Sequence, residues 1–398
     1  MKKKKSLGLF PKLIIGIVLG IIAGKLFPAN ILGILVTITS LFGNFLNFVV
    51  PLIIVGFVVP GIADLGKGAG KLLGFTVILA YASTVIDGVI AYGASSTILP
   101  KIIDFGKHVT SSNLEENLLE PFFEIAMPPL FDIMSAILIA FVLGIGIAAI
   151  KNKTMYDFFN GFQDIVKLVV EKTIIPFLPV YIAGIFANMT YAGKIVEILS
   201  VYGRVFLLVL IVQWVVVLME YFIASTYSGE ITIGQFIKNQ IPAYFTAIGT
   251  QSSAATIPVN LEVAKANGVS KQIREFVIPL CGTIHLSGSS VALTIYASAV
   301  MMMSSMPISF PRMLGFILMM GITLVAAPGV PGGAVMAALG LLQSMLGFSE
   351  AQLALMIALY IAQDSFGTAC CVCGDNAIAV MVNKKAKKMK LDVSEGEI

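Results

Sequence analysis

The chain has 398 residues, of which 58% are hydrophobic and only 12% are charged, and its mean hydropathy is +0.95. Soluble domains carry about 25% charged residues, so this composition excludes an ordinary soluble domain and predicts a polytopic membrane protein.

The formal net charge is +4. The positive charge is concentrated in two lysine runs, MKKKK at the start and KKAKKMK (Lys384–Lys390) near the end. By the positive-inside rule both termini are expected in the cytoplasm, which requires an even number of crossings. We interpret the lysines as topology signals and expect no nucleic-acid binding.

Apolar runs that suit spanning helices, which need about 20 mostly apolar residues, occupy most of the chain before residue 230. The first four extend from about Leu13 to Phe27, Ile31 to Val59, Leu72 to Leu99 and Pro129 to Ile150. A fifth run ends near Met189, and a sixth extends from about Val196 to Tyr227. The polar stretch Lys101–Glu120 is the longest clear loop. The first run has no clean small-residue cleavage site after it, so we do not expect a cleavable signal peptide.

The pattern changes after residue 230. Residues 233–260 are too short and polar to span twice and too apolar for a loop, so we expect two half-helices that meet at the tip TQSSAATIP. The helix Gln272–Met303 is interrupted by TIHLSGSS, and a second broken element, Pro311–Leu346, has APGVPGGA in its middle. A broken helix frees backbone N–H and C=O groups, which are tolerated at membrane depth only where they line a cavity or bind something. Two interrupted segments of this kind point to a transporter binding site.

The last apolar run, Ala351–Val382, carries the acids Asp364 and Asp375. They are 11 residues apart (375 − 364), which at about 100° per residue places both on one helical stripe with Thr368 and Cys371. An acid at the membrane centre costs about 2.5–3.5 kcal/mol on insertion scales, so we expect a functional site that faces a cavity. The alternative is that both acids lie near helix ends and reach water.

These elements resemble the dicarboxylate/amino acid:cation symporter family, the glutamate-transporter homologues. QSSAATIP resembles the tip of that family's first hairpin, and GVPGG resembles the tip of its second. DSFGTACCVCGD resembles its last helix, where the family pattern is Asp-x-x-Arg-Thr-x-x-Asn-x-x-x-Asp. The resemblance covers essentially the whole chain and is strongest from Ala243 onward. It implies an all-α polytopic membrane protein with eight transmembrane segments and two re-entrant helical hairpins.

The resemblance also implies a homotrimer in the cell membrane, in which a transport domain moves against a static scaffold in elevator-type alternating access. The scaffold would comprise residues 1–70 and 101–194. The transport domain would comprise residues 71–100 and 195–383, and residues 384–398 would form a cytoplasmic tail.

The resemblance assigns nine positions to the substrate: Ser252, Ser253, Ser289, Gly329, Val330, Asp364, Gly367, Thr368 and Cys371. Asp364 matches the acid that holds the α-amino group, and the hairpin tips match the parts that hold the α-carboxylate. A zwitterion needs one buried anion and several N–H donors, which half-helix N-termini supply. The family arginine that pairs with an acidic side chain falls at Gly367, and Arg312 is the only lysine or arginine between Val277 and Asn383. A neutral amino acid is therefore favoured over an acidic one or a dicarboxylate.

The candidate ligands of a coupling cation are Cys281, His285, Ser287, Cys371 and Asp375. The family motif Asn-Met-Asp-Gly-Thr appears here as HLSGS, so Ser287 replaces its acid, and Cys371 replaces the asparagine of the last helix. Sodium is our first choice, because backbone carbonyls of broken helices can build a hard-cation site. A proton shared by His285 and Asp375 is the alternative, because imidazole exchanges a proton near neutral pH. We expect no other cofactor.

The sequence leaves two possible roles open for each of three groups of residues. His285 is either a proton carrier or a buried residue with ordinary hydrogen bonds. Asp87, in the third span, either replaces the missing acid or lies near a helix kink. The cysteines of the last helix are interpreted as small packing residues, because their spacing is not that of a structural zinc site. Together with Cys281 they do not indicate a disulfide framework.

Three classes of function follow from this pattern. The first is a secondary active symporter that couples a small neutral amino acid to Na⁺ or H⁺. A proton-coupled carrier of a related small organic acid or amino acid is an alternative within this class. The second class is an uncoupled facilitator or channel in the same fold. The third, a membrane enzyme, is disfavoured, because we find no nucleophile–base pair, no HExxH and no phosphate-binding loop.

Overall fold

The computed structural model describes residues 9–65, 70–103, 118–131, 133–193, 195–324, 327 and 332–389. Across these ranges the secondary structure is helical, without a β-strand. Gly329 and Val330, both predicted to bind substrate, lie outside the described residues, as does most of the predicted loop between the third and fourth spans.

Within the described ranges, the amino-terminal half contributes six helices: α1 (Leu9–Leu26), α2 (Ala29–Leu65), α3 (Gly70–Ile102), α4 (Ile133–Ile150), α5 (Lys153–Val169) and α6 (Ile175–Tyr191). A π-helical turn, Val170–Ile174, joins α5 to α6. The described part of the carboxyl-terminal half contributes eight helices: α7 (Ile195–Ser228), α8 (Ile233–Thr250), α9 (Ser253–Ala266), α10 (Lys271–Ile284), α11 (Ser287–Met303), α12 (Phe310–Leu324), α13 (Gly333–Leu346) and α14 (Glu350–Lys388).

The chain is a multi-pass membrane protein. Within the described part of the chain, six segments are long and apolar enough to cross a bilayer: Ala29–Pro60, Leu72–Ile102, Lys153–Tyr191, Val201–Ser228, Lys271–Met303 and Glu350–Lys388. Four shorter apolar helices accompany them, among them Ile14–Leu26 and Leu138–Ile150. The all-helical membrane fold is thus confirmed, and the count of eight spans stays a prediction.

The predicted interruptions are breaks between helices. The first hairpin turns at Gln251, which adopts a left-handed conformation (φ 52°), and at Ser252, whose hydroxyl accepts a hydrogen bond from the Ala255 N–H and caps α9. The interruption after α10 falls at His285 and Leu286. The second predicted hairpin corresponds to the separate helices α12 and α13, and Gly332, at the start of α13, is left-handed. Each break frees backbone N–H and C=O groups between consecutive helices, at the places where the sequence pattern predicted interruptions.

The helices pack in two groups. α1 lies along α6, and α2 packs against α4, α5 and α6. In the second group α14 contacts α7, α8, α10 and α11, while α3 packs on α11 and α12. A buried amide network of Gln240, Asn260 and Asn376 fixes the first hairpin to α14, where Gln240 and Asn260 also donate to the Val372 carbonyl. The second group therefore holds both hairpins and both acids of α14.

Candidate functional site

A small cavity of about 40 Å³ lies where the first hairpin, the α10–α11 break, α13 and α14 converge. Six of the predicted substrate residues line it: Ser252, Ser253, Ser289, Asp364, Thr368 and Cys371. Gly367 does not line the cavity itself, although it lies on α14 between residues that do. Three elements that are distant in sequence thus bring the predicted residues together.

Asp364 is the only charged side chain among the described residues that line this cavity. It is 5% exposed, and its Oδ2 accepts a hydrogen bond of 2.7 Å from the Gly332 N–H at the start of α13. Nearby, the Tyr360 hydroxyl lies 2.7 Å from Ser289 Oγ. A buried carboxylate with no cationic side chain beside it needs a positive group from elsewhere, because an unpaired charge in the membrane interior is costly.

The first hairpin brings backbone donors to the same cavity. Ser252 begins α9 at the cavity wall, so the positive end of that helix faces the space beside Asp364. Gln251 Nε2 donates to Ser365 Oγ at 2.8 Å, which ties the hairpin tip to α14. The cavity therefore offers a negative group on α14 and a positive helix end opposite it, which suits a zwitterion.

A second, fully buried cluster is centred on His285. Its Nδ1 lies 3.1 Å from Asp375 Oδ1, and its Nε2 lies 3.4 Å from Glu220 Oε1. Ser83 Oγ is 2.7 Å from the same Glu220 oxygen and 3.3 Å from Asp87 Oδ2. The helices α3, α7 and α14 and the α10–α11 break thus bring three acids around one imidazole.

This cluster lacks positive charge. Asp87, Glu220 and His285 are all buried. A carboxylate oxygen of each acid and a ring nitrogen of the histidine lie within 4.8 Å of one another. Asp87 Oδ1 and Glu220 Oε2 have no hydrogen-bond partner among the described residues. No lysine or arginine forms an ion pair with these acids in the part of the chain that the structure describes. Three carboxylates and one histidine carry a deficit of positive charge even when the imidazole is protonated, so the cluster is suited to hold a cation or a proton.

Residues 9–385 match the model of the Sodium:dicarboxylate symporter family. The chain belongs to this family. The matched range includes all residues named above that line the cavity or form the acidic cluster.

Two kinds of relative within the family are similar to this chain. The proton/sodium-glutamate symport protein of Bacillus caldotenax is 26% identical over 408 residues, which cover 96% of this chain and 95% of that protein. The serine/threonine transporter SstT of Streptococcus suis is 26% identical over 352 residues, covering 83% of this chain and 94% of that protein. SstT of Enterococcus faecalis is 25% identical over 395 residues, covering 93% and 90%.

The predicted cation ligands divide between the two sites. His285 and Asp375 lie together in the acidic cluster, whereas Cys371 faces the substrate cavity. The Cys281 carbonyl accepts from the His285 N–H at the end of α10, and Ser287 Oγ lies 3.8 Å from Cys370 Sγ. All four cysteines are free and buried, in keeping with their interpretation as packing residues. Their role in ligation stays a prediction.

Sequence reasoning missed Glu220 and left Asp87 undecided. Glu220 is the only acid in the long apolar stretch Val201–Ser228. The signal was therefore present, because an acid inside a spanning helix is by default a functional candidate. Asp87, in the third predicted span, and Glu220, in the sixth, supply carboxylates beside the position where Ser287 replaces the family acid.

The absence of a side chain at Gly374 leaves space for the side chains of Glu220 and His285. A Cβ on Gly374 would lie 2.6 and 3.0 Å from the two carboxylate oxygens of Glu220 and would also collide with the His285 ring. We expect Gly374→Ala to displace Glu220 or His285 and to lower stability by about 1–3 kcal/mol, although alanine favours helices. Thermal unfolding in detergent, together with gradient-driven uptake, measures the effect. Gly203→Ala is the control, because nothing lies within 4 Å of a Cβ there. If Gly374→Ala has the same unfolding temperature and uptake rate as wild type and the control, the prediction is wrong and the cluster can accommodate the added methyl group.

Proposed function

We propose that this chain is a secondary active symporter that carries a small neutral amino acid together with a cation by elevator-type alternating access. The observation that carries the proposal is that one packed group of helices holds two buried sites. One is the cavity in which Asp364 is the only charged side chain among the described lining residues, and the other is the acidic cluster that lacks positive charge. A binding site and a coupling site in one packed group of helices are what a symporter needs. We infer transport, not catalysis, as the activity.

The chemistry of the cavity supports a neutral amino acid. Asp364 would bind the α-ammonium group in place of the Gly332 N–H that it accepts in this structure. The start of α9 would supply backbone N–H groups to the α-carboxylate. Arg312, the one basic residue between α11 and α14, donates instead to the carbonyls of Met345 and Pro307. No basic side chain would then remain near the substrate to pair with an acidic side chain. The relatives bear names for both an acidic and a hydroxyl amino acid.

Charge balance supports a coupling cation. A zwitterion adds no net charge, so the carboxylates of the loaded transport domain would still lack positive partners during the crossing. Sodium is the first candidate, since the broken helices expose carbonyl oxygens, which sodium prefers, and the family is described as sodium-coupled. A proton is the second candidate. It is favoured by His285, whose two ring nitrogens both lie near carboxylate oxygens, as those of a protonated imidazole would.

We further propose the division into scaffold and transport domain stated above, with the chain assembled as a homotrimer. The two groups of packed helices support this division, since α1, α2, α4, α5 and α6 contact one another while α3 packs with the carboxyl-terminal helices. Both termini are proposed to be cytoplasmic. Lys384 and Lys387 lie 3.3 and 2.9 Å from Glu230, so the end of α14 and the α7–α8 loop lie on the same side.

An uptake screen tests the proposal. Purified protein in phospholipid vesicles would be given each amino acid under an inward Na⁺ gradient at equal pH, and under an inward proton gradient without Na⁺. We expect accumulation of one or more small neutral amino acids under one of these gradients. High-affinity uptake of aspartate or glutamate by the wild-type protein would contradict the neutral-substrate proposal.

Gly367→Arg should change the charge selectivity. A Cβ at this position meets only ordinary contacts of 3.5–3.6 Å, so a side chain can leave the helix there. Because guanidinium pairs bidentately with carboxylate, we expect the affinity for aspartate to rise at least ~10-fold and the affinity for serine to fall. Competition against a labelled neutral substrate measures both. Gly367→Ala is the matched control, since it adds the Cβ without the charge. Equal selectivity in the arginine and alanine variants would remove position 367 from the substrate site.

A further inference from the structure

We propose that Asp87, Glu220 and His285 form a binding site for one divalent transition-metal ion, and that a metal ion bound there excludes the coupling cation. The exclusion rests on the proposed function, which places the coupling cation in the same acidic cluster. The metal site itself rests on the donor atoms of the cluster, so it would stand even if the chain were a facilitator. The ion belongs to a different chemical class from the sodium of the family description.

The first step is the separation of the donor atoms. A ring nitrogen of His285 and one carboxylate oxygen each of Asp87 and Glu220 lie within 4.8 Å of one another. His285 Nε2 is 3.4 Å from Glu220 Oε1. Zinc forms bonds of about 2.0–2.2 Å to nitrogen and oxygen, which places neighbouring ligand atoms of a tetrahedral site about 3.3–3.6 Å apart. The histidine and the glutamate therefore already have the separation of two ligands on one ion, and the aspartate is near enough to be the third.

The second step is that carboxylate oxygens of these residues are buried without partners. Asp87 is fully buried and Glu220 is 5% exposed. Asp87 Oδ1 and Glu220 Oε2 have no hydrogen-bond partner among the described residues. Most buried polar side-chain atoms are hydrogen-bonded, so two unpaired carboxylate oxygens at one place call for a ligand. Both oxygens belong to residues that surround the same imidazole, so one ion can satisfy them together.

The third step is the partner of the second ring nitrogen. His285 Nδ1 lies 3.1 Å from Asp375 Oδ1, and both side chains are buried. A histidine that binds a metal almost always donates its other ring N–H to a carboxylate, a carbonyl or water, which fixes the tautomer and the orientation of the ring. Asp375 holds this position here. It would keep the proton on Nδ1 and leave the Nε2 lone pair to the metal ion, so Asp375 is a positioning residue and not a ligand.

The donor set selects the class of ion. Imidazole nitrogen suits zinc, copper, iron and nickel, whereas magnesium and calcium prefer sites made of oxygen alone. The three proposed ligands include no thiolate, which copper(I) prefers. Charge favours a divalent ion as well, because Asp87, Glu220 and Asp375 place three carboxylates around one imidazole. A divalent ion offsets two of these negative charges, and sodium offsets one.

Exclusion of the coupling cation follows from the shared donor atoms. A metal ion on His285 Nε2 requires the neutral imidazole, so it displaces a proton from that nitrogen. It also occupies the carboxylate oxygens of Asp87 and Glu220 that sodium would use. Whichever of the two cations couples transport, it cannot enter the cluster while the metal ion is bound.

Binding of Co²⁺ to the purified wild-type protein tests the site, because the visible absorption of cobalt reports its ligands. We expect one ion per chain in equilibrium dialysis, with the bands of nitrogen and oxygen coordination and no thiolate charge-transfer band. Asp87→Asn, Glu220→Gln and His285→Gln should each lose these bands at Co²⁺ concentrations that saturate wild type. Asp157→Asn and Glu262→Gln, at exposed acids of α5 and α9, are the controls and should bind as wild type does.

Asp375→Asn gives a second test if a ligand variant fails to fold. The asparagine oxygen can still accept from His285 Nδ1–H, so the bands should keep their positions while the Co²⁺ affinity falls about 10- to 100-fold. Unchanged affinity in this variant would contradict the role given to Asp375. The site as a whole is wrong if wild type binds no stoichiometric Co²⁺, if a thiolate band appears, or if all three ligand variants bind as wild type does.

Uptake tests the exclusion. Vesicles reconstituted with Co²⁺-loaded protein should show no gradient-driven accumulation, and removal of the metal by a chelator before reconstitution should restore it. Full accumulation by the loaded protein would overturn the exclusion. A metal-free wild-type protein that accumulates no amino acid would instead refute the proposed function, while stoichiometric Co²⁺ binding to the same preparation would still support the metal site.

Discussion

Asp364→Asn is expected to weaken amino-acid binding by ~100-fold or more while the protein still folds and assembles. The α-ammonium group would lose its buried counter-charge, and removing one partner of a buried ion pair costs about 3–5 kcal/mol. Asparagine can still accept the hydrogen bond that Asp364 accepts from Gly332, so the contact with the second hairpin should survive. Equilibrium binding of labelled substrate to the purified protein measures the effect.

The control for this prediction is Asp157→Asn, which neutralises an exposed acid on α5. It should bind substrate like wild type. Size-exclusion chromatography should give the same oligomeric profile for both variants. Substrate affinity in Asp364→Asn within a few-fold of wild type would show that the ammonium group binds elsewhere.

Glu220→Gln is expected to reduce gradient-driven accumulation of the substrate at least ~10-fold. Glu220 lies beside both His285 and Ser83, and one of its carboxylate oxygens has no hydrogen-bond partner among the described residues. It therefore supplies negative charge where the cation or proton would bind. Glutamine removes that charge but can still accept from Ser83. Because Glu220 is not among the described residues that line the substrate cavity, binding of the amino acid at saturating cation should change much less.

The readout for Glu220→Gln is uptake as a function of the driving ion. If Na⁺ drives uptake, the Na⁺ concentration at half-maximal rate should rise. If protons drive it, uptake should lose its dependence on the pH gradient, and His285→Gln should have the same effect. Glu262→Gln, at an exposed acid on α9, is the control. Accumulation by Glu220→Gln equal to that of the control would remove Glu220 from coupling.

The sequence was sufficient to predict the fold and much of the cavity, because those signals are local. Short polar runs such as TIHLSGSS predict helix interruptions, and the structure has a break between two helices there, at His285 and Leu286. Asp364 and Asp375 are both buried on α14, although Asp364 lines the cavity and Asp375 belongs to the acidic cluster. Family motifs then assigned roles to residues that the cavity does bring together.

Residues that act across helices were harder to predict. Glu220 and Asp87 meet His285 only because α7 and α3 pack against the helices on either side of the α10–α11 break, over separations of 65 residues or more (285 − 220). A single polar residue in an apolar helix indicates that it has a partner but does not name the partner. Helix packing decides that, and periodicity along one helix carries no information on it.

Accumulation of a neutral amino acid against its concentration gradient is the most direct measurement of cation-coupled symport. Vesicles containing the wild-type protein, with substrate at equal concentration on both sides, would receive an inward Na⁺ or proton gradient. We predict that the internal substrate concentration rises above the external one under one of these gradients and falls back when an ionophore dissipates it. Equilibration without accumulation under every gradient and membrane potential would contradict symport and identify a facilitator.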